Sequence, residues 1–292
     1  MQIGVLGLGA MGFPIAEHVL KHFPLSVYNR SSEKSERLRA QGACAMDSPA
    51  ELAARSDVLL VSVSDDRALQ EVVFGARGVC EGIRPGSVVV DLSTVSPQSA
   101  QNTAAGLAGF SSDFLDAPVS GGVVGAERGA LIALVGGATS VLDRVRPIFA
   151  TFCSTVEHCG DHGAGQRMKL LNQILVAINT LAAAETLAAG RELGLDLGQV
   201  VRVLSQGYGQ SRVFAELGLR MAEGEFGHGF KAALLKKDLE IAKAELLYRG
   251  TCSLRGVEHV LRLLEQTLHK FSVDCATQSI FRECLWRPHH AD

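Results

Sequence analysis

Six short apolar runs recur through the first half of the chain, "QIGVLG", "LSVYN", "DVLLVSV", "SVVVDLS", "DFLDAPV" and "ALIALVG", most of them separated by helix-like segments. Each is bounded by turn residues, which reads as a strand. Strands that alternate with helices pair in parallel through crossovers, so the rhythm predicts a mostly parallel, doubly wound sheet. After about residue 160 the strand signals stop. Segments such as "LDLGQVVRVLSQ", "LKKDLEIAKAELLYR" and "VEHVLRLLEQTLHKF" take over with helical periodicity, so the second half is expected to be all-α. At 292 residues the chain exceeds one ordinary core and falls short of three. The expected class is α/β: a doubly wound sheet over residues 1–162, then an all-helical domain over residues 163–292.

Composition narrows the function. Net charge is −3 and both signs are mixed along the chain, which leaves no basic footprint for nucleic acid or an anionic membrane. Small-molecule chemistry is favoured over polymer binding. The start, "MQIGVLGLG", runs straight into an apolar strand without a basic n-region, so a cytoplasmic location is expected. The seven cysteines, at 44, 80, 153, 159, 252, 275 and 284, are odd in number and contain no CxxC pair. Neither a disulfide framework nor a redox motif is indicated, and they are expected to be reduced core residues. Cys153, His158, Cys159, Asp161 and His162 are metal-ligand types close in sequence. Because "TVEHCG" reads as a strand end and "DHGAG" as a turn, these side chains are not expected to converge, and no metal site is expected. The tail "CLWRPHHAD", with the single tryptophan Trp286, yields no reading.

The first strand leads into "GLGAMG", with Gly7, Gly9 and Gly12 in a GxGxxG spacing. The spacing alone is a weak signal. Its place between an N-terminal strand and a helix makes it specific, since the backbone of Gly7, Leu8, Gly9, Ala10, Met11 and Gly12 and the helix start can then face a pyrophosphate. Residues 1–162 are thus read as a dinucleotide-binding Rossmann domain. An acid at the end of the second strand would favour NAD through the ribose 2′-hydroxyl. Here that position holds Asn29, Arg30 and Ser31. An arginine fork and a hydroxyl suit a 2′-phosphate, so NADP is favoured with NAD still open. The alternative is an Arg30 that faces solvent and only stacks on adenine.

The stretch "GAGQRMKLLNQILVAINTLAAAETLAAG", residues 163–190, reads as one long core helix with a charge, Lys169, near its start. Polar residues interrupt it too often for a bilayer span. Lys169 shares a face with Asn172 and Gln173, at i+3 and i+4. Two readings are open: a lysine that snorkels its ammonium to water, or a partly desolvated one that gives up its proton readily enough for catalysis.

The order "GLGAMG", "DLSTVSP", "DAPVSGG", "GAGQRMK", "KKDLEIA" resembles the β-hydroxyacid dehydrogenase family, which includes 3-hydroxyisobutyrate dehydrogenase, tartronate semialdehyde reductase and the glyoxylate/succinic semialdehyde reductases. The resemblance covers nearly the whole chain and weakens after about residue 250. It implies a Rossmann domain and a helical substrate and oligomerisation domain joined by a long helix, with substrate and nicotinamide in the cleft between them. It implies that Ser120, Gly121 and Gly122 receive the substrate carboxylate, an anion cradle of one hydroxyl and closely approachable N–H groups. Thr94, with Ser93 beside it, would contact the nicotinamide ribose and the substrate edge; the alternative is a strand-end or capping residue before Ser96 and Pro97. Val63 and Ser64 would line the adenosine side, Phe230 and Lys237 the nicotinamide end, and Asp238 would hold the cleft together, although charged helical residues commonly form a solvated face. Lys169 falls on the family's catalytic lysine, general acid for carbonyl reduction and base for the reverse. Several members carry asparagine four residues later; this chain has Gln173 there and Asn172 one place earlier, so either amide can orient the substrate hydroxyl or the lysine.

The resemblance thus implies a metal-independent oxidoreductase that moves a hydride between NADP(H) and a small 3-hydroxyacid or semialdehyde carboxylate, as a homodimer or homotetramer. Three other readings share the fold: a 6-phosphogluconate dehydrogenase type, for which the helical half is too short, an imine reductase, which usually replaces the lysine, and a non-catalytic cofactor-binding module. Which substrate is taken does not follow from the sequence, because residues around "GYGQSRVF" would read its far end.

Overall fold

The computed structural model describes residues 1–250 and 253–285. Trp286 and the tail, like Cys252, lie outside the described residues. The chain divides into two compact units, Met1–Lys169 and the residues from Leu170 onward.

The first unit is built on a nine-stranded sheet. Its strands are β1 (Ile3–Leu6), β2 (Leu25–Tyr28), β3 (Cys44–Ala45), β4 (Val58–Val61), β5 (Val88–Asp91), β6 (Asp113–Asp116), β7 (Val119–Ser120), β8 (Leu131–Gly136) and β9 (Cys153–Gly160). The sheet order is β3-β2-β1-β4-β5-β6-β8-β7, with β9 also on β8. Strands β1 to β6 pair in parallel, whereas β8 is antiparallel to β6 and β7 and parallel to β9. The crossovers are α1 (Gly12–Leu20), α2 (Ser32–Arg39), α3 (Pro49–Arg55), α4 (Asp66–Phe74), α5 (Pro97–Ala108), α6 (Gly122–Glu127) and α7 (Thr139–Phe149). The strands are apolar on both sides because both sheet faces are covered. Successive residues point to opposite faces: Val58, Leu60, Val88, Val90 and Leu115 enter one core, while Leu59, Val61, Val89 and Phe114 enter the other.

From residue 164 the described elements are helical: α8 (Ala164–Glu192), α9 (Leu197–Leu204), α10 (Arg212–Glu223), α11 (Ala232–Arg249), α12 (Arg255–Lys270) and α13 (Phe281–Leu285). Their core gathers Leu187, Val201, Phe214, Leu235, Leu239 and Leu264. This Rossmann-type sheet followed by an all-helical part is the expected fold class.

Two expectations need correction. Helix α8 is not buried all round: Gln166, Lys169, Leu170, Gln173, Ala177 and Thr180 form its buried face, but Met168, Leu171 and Leu175 are 45%, 54% and 64% exposed. Apolar residues occupy every side of this helix, so composition could not say which side turns inward. The helix also continues through Gly190 to Glu192 and turns at Gly194 in the left-handed region. The cysteines are not uniformly core residues either, since Cys153 and Cys275 are buried but Cys44, on the edge strand β3, is exposed.

Candidate active site

The fingerprint turn shows why each glycine is there. A Cβ on Gly7 would lie 2.0 Å from the Ser62 carbonyl oxygen, and one on Gly12 would lie 1.9 Å from that of Gly7. These two permit the tight strand–turn–helix packing. Gly9 differs, because a Cβ there would meet no protein atom within 4 Å. Packing therefore does not explain Gly9, which leaves open space beside the turn. Met11, the N-cap of helix α1, makes no side-chain cap, and the first turn holds no acid, so the helix's positive end is uncompensated by its own side chains. Leu8 turns its side chain into the core, and its N–H donates to Asn29 Oδ1 at 2.9 Å.

Asn29 is thereby the link between the glycine turn and the loop after β2. Its Nδ2 donates to the Ser31 carbonyl and to Ser31 Oγ, both at 2.9 Å. Arg30, between them, is exposed. Val63 donates its N–H to Ser93 Oγ at 2.9 Å, and the Ser64 hydroxyl donates to Asp65, the N-cap of α4.

Beyond β5 the chain is fastened on both sides of one residue. Ser93 is buried, its N–H donating to Asp91 Oδ1 at 3.0 Å. Ser96 caps α5 and itself donates to Asp66 through N–H and hydroxyl. Thr94 is thus not the helix cap, which leaves ligand contact or a strand-end role. From Asp91 to Val95 it alone is partly exposed.

The "GAGQ" that opens α8 fits against this loop. Gly163 sits at φ +87°, and a Cβ on Gly165 would lie 2.3 Å from the Leu134 carbonyl oxygen, so the helix start approaches the sheet as only glycine allows. Asp116, at the end of β6 and fully buried, accepts the N–H groups of Gly163 at 2.8 Å and Gln166 at 3.0 Å. Burial pushes its carboxyl above the ordinary aspartate value, against those two donors and the nearby His162. Gln166, also fully buried, accepts from Val95 N–H at 3.1 Å and donates to the Ser93 carbonyl at 2.9 Å. Lys169 follows one turn later and is only 8% exposed. Neither Asp116 nor Gln166 carried a role in the sequence reading, although both stand inside its motifs.

Ser120 ends β7 and is half-buried; Gly121 and Gly122 follow at φ +129° and +63°, and a Cβ on Gly122 would meet no protein atom within 4 Å. As at Gly9, the chain leaves room that its own packing does not need. Among the described residues no three histidine, cysteine, aspartate or glutamate side chains gather as metal ligands.

Known proteins match both halves. Residues 2–160 match the NAD binding domain of 6-phosphogluconate dehydrogenase, and residues 163–282 the NAD-binding domain of NADP-dependent 3-hydroxyisobutyrate dehydrogenase. The 2-hydroxy-3-oxopropionate reductase of Escherichia coli is 34% identical over 242 residues, covering 83% of either chain. The chain belongs to the β-hydroxyacid dehydrogenase family. Two solved structures carry the same fold over nearly the whole chain. One is 3-hydroxyisobutyrate dehydrogenase from Salmonella typhimurium (TM-score 0.88, 27% identity, 97% of this chain and 99% of that one). The other is Psf3 in complex with NADP+ and 2-OPP (TM-score 0.89, 30% identity, 96% and 99%). As a member of this family, the protein is an NAD(P)-dependent oxidoreductase.

The helical part of the chain holds the remaining candidates. Phe230 is half-buried before α11, its carbonyl accepting Thr277 N–H at 2.8 Å. On α11, Lys237 pairs with the buried Asp238 at 3.0 Å. Asp238 also accepts Gln173 Nε2 at 2.6 Å, and Gln173 Oε1 accepts Asn172 Nδ2 at 2.9 Å. Gln173 is therefore buried between two protein partners and holds Asp238. Removing it leaves a buried carboxylate short of a donor. Gln173→Ala should lose about 1–3 kcal/mol of unfolding free energy, and Asn172→Ala about 1 kcal/mol or less. Denaturant titration checks this, and a Gln173→Ala variant as stable as the parent would show that the relay carries no energy.

Proposed function

We propose that the protein transfers a hydride reversibly between NADP(H) and a small 3-hydroxyacid or semialdehyde carboxylate, with Lys169 as general acid and base. The observation that carries this is the buried Lys169, one helical turn beyond a glutamine whose amide brackets Thr94. Gly9 and the uncapped start of α1 suit a pyrophosphate, and Arg30 with Ser31 suits a 2′-phosphate. The similarity to Psf3, solved with NADP+, supports the same choice. When bound, the reduced nicotinamide supplies the hydride. Lys169 gives its proton to the carbonyl oxygen as negative charge builds there and takes it back from the hydroxyl in the oxidative direction. Ser120, Gly121 and Gly122 hold the carboxylate, whose fixed charge selects acids over plain aldehydes. Thr94 and either Asn172 or Gln173 orient the reacting carbon, and Phe230 and Lys237 lie against the cofactor.

A panel of short carboxylated aldehydes and 3-hydroxyacids with NADPH and NADH tests this reading. Turnover is expected for at least one carboxylated aldehyde, faster with NADPH, and not for the aldehyde lacking the carboxylate. A protein that binds NADPH yet turns over none of them would overturn this substrate class.

Leu171 and Leu175 on α8 and Val203 and Leu204 on α9 are large apolar side chains left exposed, surface that a partner copy can cover. A homodimer or homotetramer is expected. Light scattering that returns 31.0 kDa, the mass of one chain, under assay conditions would refute this.

A further inference from the structure

Thr94 lies in a loop that several elements grip. Ser93 receives Val63 N–H, Ser96 is held by Asp66, and between them the Gln166 amide takes hold on both sides of Thr94, at the Ser93 carbonyl and the Val95 N–H. Gln166 is in turn fixed through its own N–H to Asp116, the buried end of β6, which also holds Gly163. One fully buried residue thus ties three things: its backbone N–H joins the turn of α8 that precedes Lys169 to the end of β6, and its side chain joins that turn to the loop carrying Thr94. A buried amide satisfied at both ends is a rigid spacer, because displacing it strands a donor and an acceptor together.

We propose that Gln166 is a positioning residue that sets Thr94 and Lys169 in mutual register through its paired bonds to Ser93 and Val95. This rests on the proposed roles of Lys169 and Thr94, and it deepens them, since Gln166 itself touches neither proton nor hydride. The glutamine is suited to the task by having one donor and one acceptor at a single tip; an acid or an amine there would satisfy one neighbour and oppose the other.

Two variants test it. Gln166→Met keeps length and bulk but makes no hydrogen bond; kcat should fall about 10- to 100-fold, the cost of slight misplacement of reacting groups, with KM for NADPH changed less than about threefold. Gln166→Glu keeps the acceptor for Val95 N–H, while its second oxygen opposes the Ser93 carbonyl until the carboxyl is protonated, when it again offers a donor. Burial, with Asp91, Asp116 and Asp66 around this loop and Lys169 one turn on, sets where that happens. Its kcat relative to the parent at the same pH should therefore rise as pH falls, whereas the methionine variant's relative kcat stays flat.

A folded Gln166→Met protein within twofold of the parent, or a relative kcat of Gln166→Glu that does not change with pH, overturns the proposal. If the methionine variant does not fold, the pH dependence of the glutamate variant decides alone. Lys169→Ala, assayed alongside, separates the two levels. Normal turnover there removes the catalytic reading itself, whereas a dead Lys169→Ala beside a fully active Gln166→Met removes only the role given to Gln166.

Discussion

Lys169→Ala should lower turnover by about two to four orders of magnitude, the range for losing a positioned general acid or base, while the protein folds and still binds NADPH. The size of the effect separates the two roles open to this lysine. A lysine that only covers apolar surface and reaches for water costs a fraction of a kcal/mol on truncation and leaves the rate intact. Lys169 is buried in the second turn of α8, where the helix start is locked by Asp116 and Gln166. Steady-state rates at saturating cofactor, with circular dichroism as the folding control, make the test. Near-normal turnover in the folded variant would remove the proton-transfer role and leave the Rossmann assignment untouched.

Arg30→Ala should raise KM for NADPH by the equivalent of about 1.5–3 kcal/mol, roughly ten- to hundredfold, and leave NADH nearly unchanged. The asymmetry follows from what Arg30 would touch. A 2′-phosphate offers its fork a charged acceptor that a 2′-hydroxyl does not. The loop is pre-set for this contact, since Asn29 binds both the glycine turn and Ser31 whether or not Arg30 is engaged. Because the side chain is exposed, salt screens the interaction, and the full effect belongs to low ionic strength. Equal losses for both cofactors would mean that Arg30 stacks on the adenine instead.

The parts of this fold that were legible in the sequence are those with a local signature. Buried parallel strands such as Val58–Val61 and Val88–Asp91 are continuous apolar runs, and "SP" before α3 and α5 is a serine cap followed by proline at the first turn. Elements defined by distant partners were not. Strand β3 is two residues at a sheet edge, too short to show a period of its own. The site divides in the same way. Gly7, Gly9 and Gly12 share one spacing, but only the contacts show that two of them serve packing and one leaves room. Asp116 caps a helix that begins about fifty residues later, and Gln166 reaches back to residues 93 and 95, bonds that no spacing rule encodes. Gln173's partner on α11 was equally out of reach of any spacing rule. Gln173 meets Asp238 across 65 positions in sequence.

Direct hydride transfer is tested by supplying NADPH deuterated at the transferable position, together with whichever carboxylated aldehyde turns over, and locating the label by mass spectrometry and NMR. The expected product is the hydroxyacid with one deuterium on its carbinol carbon for each cofactor oxidised, and none washed out to solvent. A hydroxyacid free of deuterium, or label lost to water while NADPH is consumed, would contradict hydride transfer between cofactor and substrate in this protein.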